Sequence, residues 1–177
     1  FRSLGGKAIT LTSTYDPSVD NQDAILETII VSTSADDCYT FLSAYPREGE
    51  LTIINGLTFQ GRKTTCESRN ALGGDGSVMF MNNIVKGFNY GLNVWGNSND
   101  KKEGVDFQQL IENNLFTDNY QGIMMESAEA LVTDNLLWRN GADETTSNNQ
   151  CRQGGISIDN DDSYVLYNII LENTRYQ

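Results

Sequence analysis

The stretch that decides the fold is Leu110-Ile-Glu-Asn-Asn114-Leu-Phe-Thr-Asp-Asn119-Tyr-Gln-Gly122-Ile-Met-Met125. Two short apolar runs flank an Asn-rich corner, and a third apolar run follows Gly122. Variants of this pattern occur on both sides of it, and we call each copy a rung. The apolar runs are too short for the amphipathic windows of helix-pair repeats, so the pattern predicts short β-strands joined by corners.

The copies align on an asparagine at the first corner, which we call the anchor asparagine. The anchors recur at intervals of 21 to 33 residues and are Asn55, Asn83, Asn114, Asn135 and Asn168. A second asparagine follows five residues later at Asn119, Asn140 and Asn173, while Gln60 and Phe88 occupy this position in the other two rungs. A third strand opens with glycine in three rungs, at Gly91, Gly122 and Gly155.

The unequal rung lengths have a simple physical interpretation. If equivalent strands of successive rungs lie side by side, they pair in parallel, and their inward side chains form one continuous core. Extra residues are then extruded at one corner as loops, which we assign to residues 63–77, 97–106 and 142–154. The sequence therefore predicts an all-β fold, a parallel β-helix of about six rungs, as a single domain over residues 1–177.

The residues before the first anchor fit the pattern more loosely. Residues 8–12 alternate apolar and polar side chains as a strand does, and residues 13–22 are predicted to form a loop. Residues 28–32 and 38–42 are short and rich in β-branched or aromatic side chains, which is typical of strands. The segment 45–49, with one Pro and one Gly, then turns the chain.

The anchor asparagines have a structural role in this geometry. Asn tolerates the left-handed backbone region better than other non-Gly residues do, and stacked Asn side chains hydrogen-bond to one another as a ladder. We therefore predict that the anchors build the corner and take no part in catalysis.

The rungs share the motif x-I-x-x-N-x-[LIV]-x-x-N, which resembles the right-handed parallel β-helix proteins of the pectate-lyase-like superfamily. The resemblance covers residues 51–177 well and residues 8–42 loosely. It implies a right-handed parallel β-helix but no single function, because the superfamily includes lyases, hydrolases, tailspikes, adhesins and structural surface proteins.

The composition of the chain restricts its partners. The 177 residues carry a formal net charge of −12, and a surface of this sign repels phosphate. We therefore expect neither nucleic acid nor an anionic membrane as a partner. No run of eighteen apolar residues is present, so we also expect no membrane insertion. The chain opens with Phe1 instead of Met, from which we expect a processed protein or a segment of a longer one.

The three cysteines leave two alternatives open. Cys38, Cys66 and Cys151 show no CxxC spacing, and the chain has no His, so we expect no structural zinc site. Cys38 and Cys66 lie about one rung apart, which permits a disulfide between successive rungs. Three buried free thiols are the other interpretation, and the pattern does not decide between them.

Acidic residues follow the Gly-led strands at equivalent positions. Because equivalent positions stack, we expect these carboxylates to lie together at one corner, where they would suit Ca²⁺. The candidate ligands are Glu126, Glu129, Asp159, Asp161 and Asp162. A solvated acidic edge is the alternative interpretation for a chain of this charge.

The resemblance also implies a possible enzyme. Lyases of this fold combine Ca²⁺-binding acids with an Arg or Lys that abstracts the proton next to a uronate carboxylate, and Arg139 and Lys86 are the candidate bases here. The sequence departs from the family patterns, because it lacks the His-containing motifs of polygalacturonases and pectate lyases. Surface ion pairing is the alternative role of both basic residues.

Four large aromatic residues lie near rung corners, where a ring can stack on the face of a sugar. These candidate polysaccharide-binding residues are Trp95, Tyr90, Tyr120 and Trp138. Packing in the core or at a corner is their alternative role.

The ends of the chain lead to the functional prediction. A β-helix exposes unpaired strand edges at its ends, and neither end of the sequence shows a capping pattern. We expect either caps in a longer precursor or ends that stack on neighbouring chains, which head to tail would form a filament. The predicted function is a non-catalytic structural or adhesive module, extracellular or at the cell surface, that binds polysaccharide or copies of itself. A Ca²⁺-assisted polyuronate lyase is the alternative.

Overall fold

The structure of the protein is a computed structural model that describes residues 9–19, 21–31, 42–44, 50–62, 70–74, 76–96, 109–141, 154–159 and 163–173. Within these residues, the strands form three sheets in which all neighbouring strands are parallel.

Each sheet contains strands in their order along the chain. Sheet A consists of β1 (Thr10–Thr12), β4 (Leu51–Asn55), β7 (Ser77–Met81), β10 (Gln109–Glu112), β13 (Ala130–Thr133) and β16 (Tyr164–Leu166). Sheet B consists of β2 (Ile29–Val31), β5 (Thr58–Gln60), β8 (Ile84–Lys86), β11 (Leu115–Thr117), β14 (Leu136–Trp138) and β17 (Ile169–Leu171). Sheet C consists of β3 (Leu42–Ala44), β6 (Asn70–Gly74), β9 (Tyr90–Trp95), β12 (Gln121–Glu126) and β15 (Ile156–Asp159).

The chain visits sheets A, B and C in the same order each time, so each rung contributes one strand to each sheet in turn, except that the last rung contributes only β16 and β17 within the described residues. Every strand pairs with the strand that lies three places before or after it along the chain. This arrangement confirms the prediction of an all-β fold with parallel strands between equivalent rungs.

One core is shared by the three sheets. Its inward side chains are fully buried and come from sheet A at Phe80, from sheet B at Phe116 and from sheet C at Ile123. The aromatic rings form a row, because Phe80 lies 5.9 Å from Phe59 and 6.2 Å from Phe116 between ring centroids. Burial of this continuous apolar row supplies the main stabilisation of the fold.

The corner between sheets A and B contains a buried asparagine ladder. The backbone N–H of Asn83 donates to Oδ1 of Asn114, that of Asn114 to Oδ1 of Asn135, and that of Asn135 to Oδ1 of Asn168, each over 2.9 Å. The Asn114 side chain also donates to the Phe80 carbonyl over 2.9 Å. The ladder satisfies buried backbone groups that the turn removes from the sheets, and it confirms the predicted role of these anchors.

Two details of the predicted corner are wrong. The left-handed residue is the one before each anchor, with φ of 53° at Asn113 and 55° at Asn82, because the anchor itself must point its side chain into the corner. Asn55 is also not part of the buried ladder. The register pairs Ile53 with Met79 and Asn55 with Met81, so Leu57 is the residue opposite Asn83 and occupies the ladder position. The Leu57 N–H donates to Oδ1 of Asn83 over 3.0 Å.

A second ladder lies at the corner between sheets B and C, as predicted. The N–H of Asn119 donates to Oδ1 of Asn140 over 3.2 Å, and that of Asn140 to Oδ1 of Asn173 over 2.8 Å. Phe88 occupies the equivalent position in the preceding rung, where its N–H donates to Asn119 Oδ1. The alignment of Gln60 with Phe88 is wrong, because Gln60 lies in β5 opposite Lys86.

The sequence prediction missed two elements. Residues 63–77 were assigned to a loop, but they contain β6 and the first residue of β7. The glycines of β6 disguise it as a loop, although a side chain on Gly74 would meet the Ala44 carbonyl of the neighbouring strand, so only glycine fits. The other missed element is α1 (Asp23–Glu27), which packs on the outer side of sheet B, where Thr58 Oγ1 donates to the Ile25 carbonyl over 2.7 Å.

Several predictions lie outside the described residues. These are most of the strand at residues 38–42, the turn at 45–49, the loop at 97–106, most of the loop at 142–154, and the three cysteines Cys38, Cys66 and Cys151. In the described part of the chain, no helix combines the length and the apolarity that crossing a bilayer requires.

Candidate functional site

The ends of the Gly-led strands bring three candidate residues together. Trp95, Glu126 and Asp159 are the last residues of β9, β12 and β15 and occupy neighbouring register positions on sheet C. The indole N–H of Trp95 donates to Oε2 of Glu126 over 3.0 Å. We call these three residues the Trp95 edge, and their alignment confirms the predicted stacking of equivalent positions.

Two amide side chains next to the Trp95 edge have unused acceptor atoms. Gln109 donates its side-chain N–H to the Trp95 carbonyl over 2.9 Å, while its Oε1 is buried without a hydrogen-bond partner. Asn93, two residues before Trp95, is 9% exposed, and its Oδ1 is also buried without a partner. An indole, carboxylates and amides are together the groups that typically bind sugars.

The predicted Ca²⁺ ligands are brought together only in part. Glu126 and Asp159 are neighbours, whereas Glu129 lies beyond the next corner, where its carbonyl accepts from the Gln109 N–H. Asp161 and Asp162 lie outside the described residues. Across the residues that the structure describes, no three Asp, Glu or Cys side chains are arranged to hold a metal ion. Calcium binding therefore stays a prediction.

The two candidate bases lie at the corner between sheets B and C. Arg139 is left-handed, with φ of 54°, and its guanidinium lies 3.5 Å from Asp118 Oδ1 and 5.4 Å above the Trp138 ring. Lys86 ends β8 and shares a row of sheet B with Thr117 and Trp138. Arg139 thus has both an ion-pair partner and an aromatic partner, as the surface alternative requires.

The candidate bases and the candidate metal ligands lie at opposite ends of the sheet C strands. Arg139 takes the corner position before a sheet C strand, whereas Glu126 ends one. In one rung, the six residues of β12 separate the start of the strand from its end by roughly 17 Å at the usual strand rise. The structure therefore does not bring the predicted base and the predicted metal site together.

The four candidate aromatic residues differ in accessibility. Trp138 is 38% exposed, and its indole N–H donates to Oε2 of Glu172 over 3.1 Å. Trp95 and Tyr90 are half-buried on sheet C. The prediction that Tyr120 stacks on a sugar is not supported, because its side chain is 7% exposed beside the buried ladder residue Asn119.

The two ends of the sheets differ in how well the core is covered. In the same inward row of sheet C, Ala44 in β3 is fully buried, whereas Ile158 in β15 is 47% exposed. In the inward row of sheet B, Ile30 is half-buried and Ile170 is 50% exposed. We call the β1–β3 side the covered end and the β15–β17 side the open end.

Five outward side chains of the last rung are also apolar, next to the exposed Glu172. They are Tyr164, Leu166, Tyr167, Ile169 and Leu171, and we call them the outer patch. Their exposure ranges from 44% at Leu166 to 83% at Tyr167. Tyr167 takes the left-handed corner position that Asn113 and Asp134 take in earlier rungs. Sequence reasoning missed the patch, although the run of apolar residues at 164–171, broken only by the anchor, is its signal.

A short loop lies beside the covered end. Oδ1 of Asp16 accepts hydrogen bonds from the Ser18 hydroxyl over 2.7 Å and from the Ser18 N–H over 2.8 Å. The hydroxyl bond, followed by the backbone bond, lowers the pKa of Asp16 below its usual value. Asn21 closes the loop, because its Oδ1 accepts from the Asp16 N–H over 2.7 Å.

No protein-family model matches the chain, and comparisons with curated proteins and with solved structures likewise find no match.

Proposed function

We propose that the protein is a right-handed parallel β-helix of the pectate-lyase-like superfamily and that it acts as a non-catalytic structural or adhesive module. Three observations support the fold: the recurring order of sheets A, B and C, the core that they share, and the two asparagine ladders at their corners. Stacked rungs of this kind build an elongated, rigid body with long flat faces, which suits adhesion and assembly.

The open end supports the first part of the proposed function, which is assembly with another protein surface. Its core residues Ile158 and Ile170 are about half exposed, and the strand edges of β15, β16 and β17 have no further strand beside them in the described residues. Apolar core and unpaired strand edges in one place form a surface that binds another protein surface. Assembly through this end is the first part of the function that we propose.

Polysaccharide binding at the Trp95 edge is the second part. The half-buried indole of Trp95 offers an apolar ring, Glu126 and Asp159 offer acceptors for hydroxyl groups, and the chain's net charge of −12 favours neutral over acidic glycans. A location outside the cell fits such a ligand and is proposed with it.

Glycan binding is tested by affinity electrophoresis of the purified chain through gels that contain neutral or acidic polysaccharides. We expect retardation by at least one neutral polysaccharide and a loss of roughly tenfold in affinity for Trp95→Ala. Trp138→Ala is the matched control, because it removes the same ring from the end of β14 in sheet B, away from the Trp95 edge. Unretarded migration in every gel would remove the glycan-binding part of the proposal.

The Ca²⁺-assisted lyase stays as the second candidate because Glu126 and Asp159 are neighbours. Its test is the absorbance of unsaturated products after incubation with polyuronates and Ca²⁺. Product formation that disappears in Arg139→Ala would establish the lyase and would end the non-catalytic proposal. We expect no product, since Arg139 lies across sheet C from the carboxylates and is paired with Asp118.

A further inference from the structure

We infer that the glycan at the Trp95 edge is an amino sugar, whose protonated amino group lies between the carboxylates of Glu126 and Asp159. The inference rests on the proposed polysaccharide binding and deepens it by naming the chemical class of the sugar. It also adds Asn93 to the site, as the residue that accepts a hydrogen bond from a hydroxyl group of the same glycan.

Asn93 lies on the same face of sheet C as the Trp95 edge. Leu92 and Val94, its neighbours in β9, are buried in the core. Because successive side chains of a strand point to opposite faces, Asn93 and Trp95 both point outward. The register places Met124 beside Asn93 on β12, and Met124 is half-buried. The outward face thus combines an amide, an indole ring and an apolar side chain.

The Asn93 amide has an acceptor that the protein does not use. Although Asn93 points outward, it is 9% exposed, and its Oδ1 is buried without a hydrogen-bond partner. A buried acceptor without a partner is destabilising, and a ligand that donates a hydrogen bond to it offsets this cost. The χ2 torsion of Asn is broad, so the amide can turn its oxygen toward a ligand without a change of the backbone. The outward face of sheet C therefore favours a ligand with hydroxyl or amino donors.

The two carboxylates of the Trp95 edge favour a cation. Glu126 and Asp159 occupy neighbouring register positions on strands about 4.8 Å apart, where like charges repel each other. The indole N–H of Trp95 donates only to Oε2 of Glu126. Neither carboxylate forms an ion pair within the part of the chain that the structure describes. A positively charged group between them would relieve the repulsion.

The described basic residues lie elsewhere in the molecule. Lys86 ends a strand of sheet B, and Arg62 and Arg139 follow strands of that sheet. Arg139, moreover, is paired with Asp118. Among the described residues, no basic side chain is thus available to the Trp95 edge, and the ligand is the group that brings the positive charge.

An organic ammonium fits this site better than Ca²⁺ does. Calcium takes about six to eight oxygen ligands, whereas Glu126 and Asp159 are the two acidic side chains that the described residues bring together here. An ammonium group needs fewer acceptors, and the face of an indole ring attracts it as well. The flat ring of Trp95 also matches the apolar face of a pyranose, which a lysine side chain lacks. An amino sugar uses the ring, the carboxylates and Asn93 together.

The test compares two forms of one ligand, the trisaccharide of glucosamine and its N-acetylated form, which keeps the ring hydroxyls but carries no charge. The chain has 2 Trp, so Trp138→Phe leaves Trp95 as the only source of tryptophan fluorescence. At physiological ionic strength, where a Debye length of about 8 Å screens distant charges, we expect the glucosamine form to bind about tenfold or more tightly than the N-acetylated form.

Substitutions in this Trp138→Phe background separate the two parts of the site. Glu126→Gln should weaken binding of the glucosamine form by about tenfold, because the amide keeps the shape but loses the charge. Asn93→Leu should weaken binding of both forms by about fivefold, because it removes the acceptor for a hydroxyl. Glu112→Gln is the matched control, since it removes the same charge from a half-buried residue at the end of β10 in sheet A and should leave both affinities unchanged.

Three outcomes would overturn the inference. One is equal affinity for the two forms, and another is an equal loss of affinity in Glu126→Gln and Glu112→Gln. The third is binding of trilysine as tight as that of the glucosamine trisaccharide, which would show that charge alone selects the ligand. In each case, retardation by a neutral polysaccharide would leave the proposed adhesive function standing, whereas a chain that binds no glycan at all would lose both.

Discussion

The covered end and the open end of the three sheets are built from the same repeat but finish it differently. At the covered end, Leu42 and Ala44 lie at core positions and are buried, and helix α1 lies on the outer side of sheet B. At the open end, Ile158 lies at the core position equivalent to Ala44 and is 47% exposed, and Ile170 is 50% exposed where its counterpart Ile30 is half-buried. The repeat alone therefore does not cover its own core, and the core at each end must be covered by other groups.

The outward side chains of an inner rung and of the last rung differ in polarity. In the rung of β10–β12, the outward residues at the first corner are Glu112 and Asn113, and Asn113 donates to Oδ1 of Asn82 over 2.6 Å. In the last rung, the equivalent positions are Leu166 and Tyr167, both exposed. Polar corner residues suit water, whereas an exposed Leu and Tyr suit a partner.

The largest expected effect on stability is at the asparagine ladder, where a member inside the sheets is compared with the member at the open end. Asn114→Ala should lower the free energy of unfolding by about 4 kcal/mol, because it orphans the buried Asn83 N–H and Phe80 carbonyl. Asn168→Ala should cost about 2 kcal/mol, since water can reach its partners from the open end. Urea unfolding measures both, and equal losses would contradict the idea that this end is open.

Core truncation at the two ends should differ in the same direction. Leu42→Ala removes a side chain that is 3% exposed and should cost about 3 kcal/mol. Ile170→Ala removes one that is 50% exposed and should cost about 1 kcal/mol in the monomer. Thermal unfolding at a low protein concentration, at which the chain is a monomer, measures the pair. A larger loss for Ile170→Ala would mean that the open end is packed by something else.

A smaller effect of opposite sign is expected at Tyr167. Its backbone is left-handed, with φ of 55°, which a bulky residue adopts less readily than Asn does. Tyr167→Asn should therefore stabilise the isolated chain by about 0.5 kcal/mol. Denaturant midpoints measured at low protein concentration test this, and destabilisation by Tyr167→Asn would contradict the expected relief of backbone strain.

The smallest effect belongs to the loop beside the covered end. The folded-state pKa of Asp16 is lowered, so its contribution to stability is present above the usual pKa of 3.8 and is lost as the pH falls through the lowered value. Asp16→Asn keeps acceptors for both Ser18 groups but does not titrate. Thermal midpoints from pH 5 to pH 2 should fall slightly less in the variant, and identical pH profiles would show that the hydrogen bonds do not matter.

The repetitive part of the fold could be predicted because its side chains repeat. Asn114, Asn119 and Gly122 mark two corners and a third strand within one rung, and stacking then aligns Trp95 with Glu126. Strand β6 could not be predicted, because its glycines are chosen by close approach to β3 and not by strand propensity. The register error at Asn55 has a similar origin, since Gly56, with φ of 71°, supplies the turn without a second asparagine.

The candidate sites were less predictable. The burial of Tyr120 and the separation of Arg139 from Glu126 depend on the end of the sheet C strands at which each residue lies. The spacing between rungs does not encode this. The open end was harder still, because exposure of Ile170 depends on what lies beyond the last strand and not on its own repeat position.

The most direct test of the account is amide hydrogen exchange at both ends of the sheets as a function of protein concentration. The account predicts that protection over residues 164–171, including the Ile170 amide, rises as copies assemble through the open end, while protection over residues 9–19 and 29–31 does not change. Exchange at residues 164–171 that is independent of concentration, or protection that rises equally at both ends, would contradict it.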